Sequence, residues 1–383
     1  MKNKLILMFL GVISLLGIYE KSYAQSSIHK STYSREIPRI VTSVRAMGMG
    51  GAYYGVSNDK YAPFYNPAGL GLNKNKWQFE FPIALNIGLD HDLLTNAQNI
   101  TNIFKNSDTG EITKLLDTMM GDYNSVSPIT FFPAIVKKAG ASNFTIGLFV
   151  NSQVGFLAYN NVNPELMVSA KADAGLTVGY SYSFLEDESL HFGVSVMGLY
   201  RMAYETGYQA TELAGINFSD LLKDVLNNKG WGIYGSVGLM YELPWLRDVL
   251  NARVGVSFND FGYQDFAPGL DKIDPTLNLS VAISPNWNFI SSNVVFDFTD
   301  ILLMSGKDKD FGKRFNIGLE IGFWDRIFLR TGLHQGYVTA GAGIDLWLLR
   351  LNYAYYTEEM GAYPGNAPDA RHVLELNIGW TKK

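Results

Sequence analysis

The sequence "RFNIGLEIGF", residues 314–323, decides the fold, because apolar and polar residues alternate along it without a break. One face of this stretch is apolar and consists of Phe315, Ile317, Leu319, Ile321 and Phe323. The other face is small or charged and consists of Arg314, Asn316, Gly318, Glu320 and Gly322. The same alternation recurs in "LNARVGVSF", residues 250–258, and in "HVLELNIGW", residues 372–380. Strict alternation over stretches of this length predicts β-strands with one apolar and one polar face.

The chemistry of the two faces indicates what surrounds the strands. In a water-soluble β-sandwich the polar face would carry many lysines and glutamates, whereas here it is mostly Gly, Ser, Asn and Thr with single charges. Such residues suit a confined interior, and strands of about ten residues with an apolar outer face are typical of transmembrane barrels. A closed barrel also pairs every backbone group inside the membrane. The sequence therefore predicts an all-β, antiparallel transmembrane barrel, with a soluble β-sandwich as the alternative.

The alternating stretches predict about fourteen strands, an even number as in bacterial single-chain barrels. They cover residues 76–90, 128–139, 142–158, 165–184, 190–206, 230–243, 250–261, 276–285, 291–300, 312–323, 326–335, 337–347, 348–357 and 371–381. Residues 98–119 and 211–228 instead space their apolar residues three and four apart, which predicts helices. These helices either cover the barrel mouth or form a surface that collects an apolar ligand or a partner. The stripe of the second helix consists of Phe218, Leu221, Leu222, Val225 and Leu226.

The composition excludes several kinds of function. Charged residues make up 17% of the chain, below the roughly 25% typical of soluble proteins. The 38 glycines, 22 tyrosines and 23 phenylalanines agree with a membrane barrel. The absence of cysteine excludes a disulfide scaffold, a thiolate metal site and a cysteine nucleophile. The net charge of −5 argues against binding to the phosphate backbone of a nucleic acid.

The first 24 residues have the pattern of a cleaved secretory signal peptide. Lys2 and Lys4 precede an apolar run, and small residues stand at Ser22 and Ala24. We expect cleavage and a mature chain that begins at Gln25; an uncleaved membrane anchor is the alternative. At the other end, "LELNIGWTKK" alternates up to an aromatic residue near the terminus and resembles the signal that barrel-assembly machinery reads.

Two short motifs stand between the signal peptide and the first strand. They are "RAMGMGGA", residues 45–52, and "NPAGL", residues 66–70. Together they resemble the FadL-type superfamily of outer-membrane transporters for hydrophobic compounds, and the chain looks closest to the PorV-like branch of the type IX secretion system. The resemblance implies that residues 25–75 form a plug inside a barrel of residues 76–383. Its motif residues are Arg45, Gly48, Gly50, Gly51, Asn66, Pro67 and Ala68.

The composition of this segment agrees with a place inside a barrel. A barrel of fourteen strands is too wide for its own side chains to fill, so it is either a channel or plugged. Glycines let the backbone pass close to the wall, and Pro67 favours a turn. Some of the apolar side chains are candidates for ligand contact, with packing within the plug as the alternative. These candidates are Met47, Met49, Tyr53, Tyr54, Phe64 and Tyr65.

Several charged residues fall on the inner face of the predicted strands. They are Lys171, Asp173, Arg253, Arg314, Glu320, Arg330, Asp345, Arg350 and Glu375. Because a buried charge is costly unless it is paired, we expect cross-strand ion pairs, with Arg45 connecting the plug to the wall. In the alternative, Arg314, Arg330 and Arg350 gather around a ligand carboxylate.

No catalytic or metal-binding motif is evident. The five histidines include no pair at metal-ligand spacing, and no nucleophile motif such as G-x-S-x-G occurs. His334 and Asp345 flank a tight turn and are candidates to face each other across it. We therefore predict no enzyme activity, no metal and no cofactor.

Two hypotheses for the function follow, both in the outer membrane of a Gram-negative bacterium. The first is a channel for uptake of hydrophobic small molecules such as a fatty acid, gated by the plug. The second is a PorV-like scaffold that binds secretion-system proteins and transports no small molecule. Membrane lipids and the barrel-assembly machinery are expected partners in both.

Overall fold

The computed structural model describes residues 40–88, 109–121, 123–160, 164–213, 225–247, 249–268, 270–287, 289–305 and 310–382. The predicted signal peptide and the start of the mature chain at Gln25 lie outside the described residues. So do parts of the two predicted helical stretches, including Phe218, Leu221 and Leu222.

Fourteen antiparallel strands form one closed barrel, as predicted. Each strand pairs with its neighbours along the chain, and the last strand pairs with the first. The strands are β1 Trp77–Gly88, β2 Tyr123–Phe131 with Ala134–Ala139, β3 Ser142–Tyr159, β4 Glu165–Phe184, β5 Leu190–Gln209, β6 Lys229–Glu242, β7 Arg253–Phe266, β8 Thr276–Ile283 with Asn286–Trp287, β9 Ile290–Phe298, β10 Phe315–Phe323, β11 Ile327–His334, β12 Tyr337–Asp345, β13 Leu349–Glu359 and β14 Pro368–Lys382.

The remaining elements are short helices. Among the described residues, the α-helices are α1 Val44–Gly48, α2 Thr109–Thr118 and α3 Ala210–Leu213. The 3₁₀ helices of the same part of the chain are Ala62–Phe64, Pro67–Leu72, Pro244–Leu246 and Gly312–Arg314. The α2 helix confirms the helix prediction for the described part of residues 98–119. No helix in the described part of the chain is long and apolar enough to cross a membrane.

The register of the strands agrees with the alternation in the sequence. In β14, Leu376 is 37% exposed on the outer face, whereas the neighbouring Glu375 is 3% exposed on the inner face. In β10, Glu320 is likewise buried and Phe315 is exposed. The apolar face of the strands is thus the outer surface of the barrel, as in the barrels that the alternation is typical of.

Tryptophans mark one rim of the barrel. Short connections join the strands at this rim, whereas longer connections, such as the one that contains α2, lie at the opposite rim. We call the first the short-turn end and the second the long-loop end. Trp and Tyr concentrate where a membrane meets water. The exposed tryptophans at the short-turn end are Trp245, Trp287, Trp324, Trp347 and Trp380.

The wall is irregular at β2, where the structure differs from the predicted strand 128–139. The register of β2 shifts against both neighbours around Pro128, and Pro133 interrupts the strand because it has no N–H to donate. The β-bulge reverses the alternation, so that Ser127 and Thr130 both lie beside the same inner cavity. A pattern search that assumes one continuous period therefore starts this strand too late, at residue 128 rather than at Tyr123.

Candidate functional site: the barrel interior

Residues 40–73, here called the inner segment, pack against the inner face of the barrel. The backbone N–H of Tyr53 donates to Asp297 Oδ2 in β9 at 2.5 Å. From the opposite wall of the barrel, Ser195 Oγ in β5 donates to the carbonyl of Pro63 at 3.0 Å. A short segment can contact strands on both sides of a closed sheet only from the inside.

Glycines let the first part of the inner segment lie directly on the wall. Gly50 and Gly51 have φ angles of +65° and +74°, which disfavour residues with a side chain. A Cβ atom on Gly50 would lie 2.4 Å from the carbonyl oxygen of Ile317 in β10. The Gly50 N–H instead donates to Thr339 Oγ1 in β12 at 2.9 Å. Larger residues at these positions would displace the inner segment from the wall.

The Asn-Pro-Ala turn is equally close to the opposite wall. Asn66 Oδ1 accepts a hydrogen bond from the N–H of Ala68 at 3.0 Å, which caps the 3₁₀ helix that starts at Pro67. A Cβ on Gly193 in β5 would lie 2.2 Å from the Ala68 nitrogen, and one on Gly238 in β6 would lie 2.0 Å from Asn66 Oδ1. The turn is therefore fitted to glycine-lined positions of the wall.

A network of charges joins the inner segment to the wall at β10 and β11. Arg45 donates to both carboxylate oxygens of Glu320, at 2.6 and 2.9 Å, and Arg330 donates to the same carboxylate at 2.7 Å. The cross-strand pair Glu320–Arg330 and the bridge from Arg45 to Glu320 are thus present. Arg330 continues through Asn352 to Glu375, at 3.0 and 2.9 Å.

A second network lies beside it, at β1, β12 and β13. Lys60 of the inner segment forms a buried ion pair with Glu80. Arg350 also bonds to Glu80, at 2.5 Å, and to Asp345, at 2.7 Å. Burial opposes the charge on Lys60, but the carboxylates of Glu80 and Glu375 outweigh this effect and raise the pKa of Lys60 above its ordinary value.

The alternative grouping of arginines around a ligand carboxylate is not what the structure shows. Arg314 pairs with Asp300 at 2.9 Å, while Arg330 and Arg350 belong to the two networks above. Each guanidinium therefore has its own carboxylate, and the three do not converge.

Asp173 and Lys171, two further inner-face charges predicted from the sequence, both lie in β4 but differ in their burial. Asp173 pairs with Arg201 at 2.7 Å across β4 and β5, a partner that the sequence did not single out. Lys171 is half-buried on the inner side of β4.

The suggested contact between His334 and Asp345 is wrong. These residues stand at opposite ends of β11 and β12. His334 instead bonds to Asn316 at 2.8 Å and to Glu358 at 3.1 Å. Residues near each other in sequence around a turn still diverge along the two strands, because each strand rises about 3.3 Å per residue.

The candidate ligand residues form part of an apolar cluster inside the barrel. Ring centroids of Tyr53 and Tyr65 are 5.0 Å apart, and Phe64 stands 5.3 Å from Phe132 and 5.6 Å from Phe149 in the wall. Met49 and Tyr54 also pack in this cluster, whereas Met47 belongs to a smaller one beside β13 and β14. The wall contributes further apolar side chains, namely Ala134, Met197, Leu199, Tyr234, Ala282 and Val295.

Two cavities flank the inner segment. The larger one, here called the vestibule, has a volume of about 1760 Å³ and opens among the short turns. Ten basic and eight acidic side chains line it, among them Arg45, Lys60 and Arg253. The smaller cavity, of about 50 Å³, lies behind the bulge of β2, between Met47 and Thr130.

Sequence reasoning missed several residues that organise this interior. Glu80 and Asp297 both alternate with outward-facing phenylalanines, so the period of their strands could have placed them inside. The role of His191 is harder to predict from the alternation of a single strand. It bonds to Ser183 at 2.8 Å and to Glu242 at 3.0 Å, and these contacts depend on the register of three strands.

The fold and the lined interior define a class of protein, the closed antiparallel β-barrel with a cavity-bearing interior. Comparison of the sequence with protein-family models and with curated proteins gave no match. Solved structures with a similar fold include the CymD monoaromatic hydrocarbon channel, which is 11% identical with a TM-score of 0.53 over 88% of this chain and 96% of that chain.

Two further structures agree with this one. The toluene transporter TbuX of Ralstonia pickettii is 15% identical, with a TM-score of 0.51 over 89% of this chain and 98% of that chain. The TodX deltaS2S3 mutant, a monoaromatic hydrocarbon channel, is 13% identical, with a TM-score of 0.50 over the same shares. These neighbours are transporters and channels of the FadL type, and the likeness establishes the fold. It gives no support to the PorV-like branch.

Proposed function

We propose that this protein is an outer-membrane channel for uptake of hydrophobic small molecules in a Gram-negative bacterium, with the inner segment as its plug. The observation that carries the proposal is the apolar cluster inside the barrel. The interior of a membrane barrel is ordinarily polar, yet here Phe149, Leu199 and Tyr234 of the wall face the lumen and pack on aromatic residues of the inner segment. An apolar interior suits an apolar cargo. The FadL-type fold supports the same conclusion.

The route of the cargo is part of the proposal. A compound would enter at the long-loop end, where Ile112 and Leu116 of α2 pack on Leu166 and Val168 of β4. It would then reach the apolar cluster when the inner segment moves. Release would occur through the bulged wall at β2, beside the small cavity, or through the vestibule. The bulge supports the first exit, because it weakens the pairing of β2 with both neighbours.

The scaffold hypothesis remains as the alternative. On that hypothesis the same barrel would bind secretion-system proteins through its loops, and the inner segment would only fill the lumen. No contact in the described residues favours it. Co-purification of the protein with secretion components, together with a lumen that takes up no apolar compound, would support it.

A reversible lock on the inner segment tests the channel. The chain has no cysteine, and the Cβ of Ala52 lies 3.2 Å from the position that a Cβ on Gly318 would take, slightly below the roughly 3.5–4.5 Å of a disulfide. Because this Cβ would also lie 2.5 Å from the Met49 carbonyl oxygen, uptake by the reduced variant is first compared with that of the wild type. We expect the A52C/G318C variant to lose uptake of radiolabelled toluene or oleate when oxidised and to recover it with reductant. The assay uses cells of a Gram-negative host that lacks its own channel for the compound.

The matched control joins two wall positions and leaves the inner segment free. It is A134C/G147C, whose Cβ atoms would lie 3.1 Å apart; oxidation of this variant should not change uptake. If cells that produce the unmodified protein take up neither compound faster than the host, the channel proposal fails. If uptake is unaffected by the lock, the barrel transports without movement of the inner segment.

A further inference from the structure

Arg253 differs from the other buried arginines of the barrel. Its side chain points inward from β7, is 7% exposed and lines the vestibule. Its Nε is enclosed and has no hydrogen-bond partner among the described residues. Within that part of the chain it also has no carboxylate within ion-pair distance. The other buried arginines each have a carboxylate at 2.7–2.9 Å, namely Arg201, Arg314, Arg330 and Arg371.

The charges nearest to Arg253 are already engaged elsewhere. Glu242 lies opposite Arg253 on β6. Its carboxylate is hydrogen-bonded to His191 Nε2 at 3.0 Å. Arg45, the other charge that acts on Arg253, is held by Glu320. The terminal nitrogens of Arg253 are therefore left toward the vestibule. A buried charge without a partner is costly, so the terminal nitrogens are solvated by whatever fills the vestibule, which is either water or an anion.

The surroundings favour an anion. The vestibule is lined by ten basic and eight acidic side chains, although the whole chain carries a net charge of −5. A guanidinium binds carboxylate and phosphate groups through two parallel hydrogen bonds. The neutral Asn251 lines the same cavity, whereas Ser284 and Asn293, which also line it, already bond to each other and to Glu320.

We propose that Arg253 anchors an anion-binding site in the vestibule, which takes a carboxylate or a phosphate group. The group has two conceivable sources, an amphiphilic acid that arrives through the barrel and a phosphate that enters at the short-turn end. The site does not depend on transport, because it is defined by binding to the purified protein. Its failure is thus separate from a failure of the channel proposal.

Calorimetric titration of the detergent-purified barrel tests the site with hexanoate, hexanol and inorganic phosphate. We expect the wild type to bind hexanoate or phosphate, and the tighter of the two identifies the source. Hexanol has the same chain length without the charge and should not bind at this site. Arg253→Gln should weaken anion binding by about tenfold or more, as expected for loss of a charge-assisted hydrogen bond.

Arg326→Gln is the matched control, because Arg326 lines the same vestibule and lies over the ring of Trp347. It removes the same charge and should leave anion binding within about twofold of the wild type, since surface charge effects are small. Equal binding in Arg253→Gln and in the wild type would overturn the proposal. So would a wild type that binds neither anion.

Two further variants separate binding from a structural role. Glu242→Gln removes the carboxylate nearest to Arg253 and should strengthen anion binding. Arg253→Met keeps the length of the side chain without its charge, and should raise the unfolding temperature in anion-free buffer while abolishing binding. A lower unfolding temperature for Arg253→Met would show that the arginine supports the wall rather than a ligand.

Discussion

The two sides of the barrel hold the inner segment by different chemistry. At β1 and β9–β14 the contacts are charged. Glu320 and Glu80 bind Arg45 and Lys60 of the segment, and Asp297 accepts two of its backbone N–H groups. Glu320 also accepts hydrogen bonds from Arg330 and Asn293 in the wall. On this side the charged groups that hold the segment also bond to one another through the wall.

At β3–β6 the inner segment is held mainly by shape. Gly179 makes room for Pro63 and Leu70, and Gly193 and Gly238 make room for the Asn-Pro-Ala turn. Several buried polar side chains of this side have atoms without a hydrogen-bond partner among the described residues, namely Asn143, Thr145 and Ser181. An unsatisfied buried group costs about 1–3 kcal/mol. The inner segment is thus held by ion pairs at β1 and β9–β14 but mainly by steric fit at β3–β6. Because the contacts at β3–β6 are weaker, we expect movement of the segment to begin there.

The largest expected effect comes from removing the anchor. Glu320→Ala leaves the buried Arg330 and the half-buried Arg45 without their carboxylate, which should lower the free energy of unfolding by about 3–5 kcal/mol. The same change should open the lumen to small polar solutes. Urea unfolding followed by heat-modifiable gel mobility measures the first effect, and swelling of liposomes that contain the protein measures the second.

Asp300→Ala is the control for this prediction. It breaks the buried pair with Arg314, which lies in the connection between β9 and β10 and does not touch the inner segment in the contacts described. We expect a comparable loss of stability without a leak. If the two variants leak equally, the charged side is not a specific anchor of the segment.

A smaller effect is expected on the side held by shape. Gly193→Val places a side chain where a Cβ would already lie 2.2 Å from the Ala68 nitrogen. Overpacking of this kind costs about 1–3 kcal/mol, and most of it should appear as displacement of the Asn-Pro-Ala turn. Faster proteolysis of the inner segment in an otherwise folded barrel would report that displacement.

Gly198→Val provides the comparison within the same strand. A Cβ on Gly198 would meet no atom within 4 Å, so this variant should resist protease like the wild type. Equal sensitivity of the two variants would mean that the close approach at Gly193 does not hold the turn.

The sequence predicts the wall well because the wall is built from local periods. The alternation of β10 and β14 gives both the strands and the facing of Glu320 and Glu375. Even the pair Glu320–Arg330 is local, since both residues flank one short turn. The strand β2 is predicted with the wrong start because the bulge at Pro128 reverses the alternation within a single strand.

The interior is harder to predict, since its contacts join distant parts of the chain. Arg45 and Glu320 are 275 residues apart, and no local period connects them. That Arg253 lacks a partner could not be deduced from its strand either. It depends on Glu242 being bound to His191, a contact across β5 and β6. The sequence could list the charges of the lumen, but only the assembled barrel shows which of them are paired.

The smallest expected change in stability belongs to the Asn-Pro-Ala turn itself. Replacement of Asn66, Pro67 and Ala68 by Gly-Ser-Gly removes the cap on the 3₁₀ helix and the stiffness of the proline. A lost proline of this kind costs about 0.4–1 kcal/mol, and the strands keep their own pairing. We therefore expect normal heat-modifiable mobility, faster entry of small polar solutes in liposome swelling, and altered uptake of apolar compounds.

The same replacement in the loop between β13 and β14, at Ala362, Tyr363 and Pro364, is the control. It introduces equal flexibility at an exposed connection of the long-loop end and should leave permeability unchanged. If the rigid Asn-Pro-Ala turn keeps the lumen closed, a more flexible turn should make the lumen permeable. A folded Asn66–Ala68 variant with the permeability of the wild type would therefore mean that the inner segment is packing alone, and it would favour the scaffold over the channel.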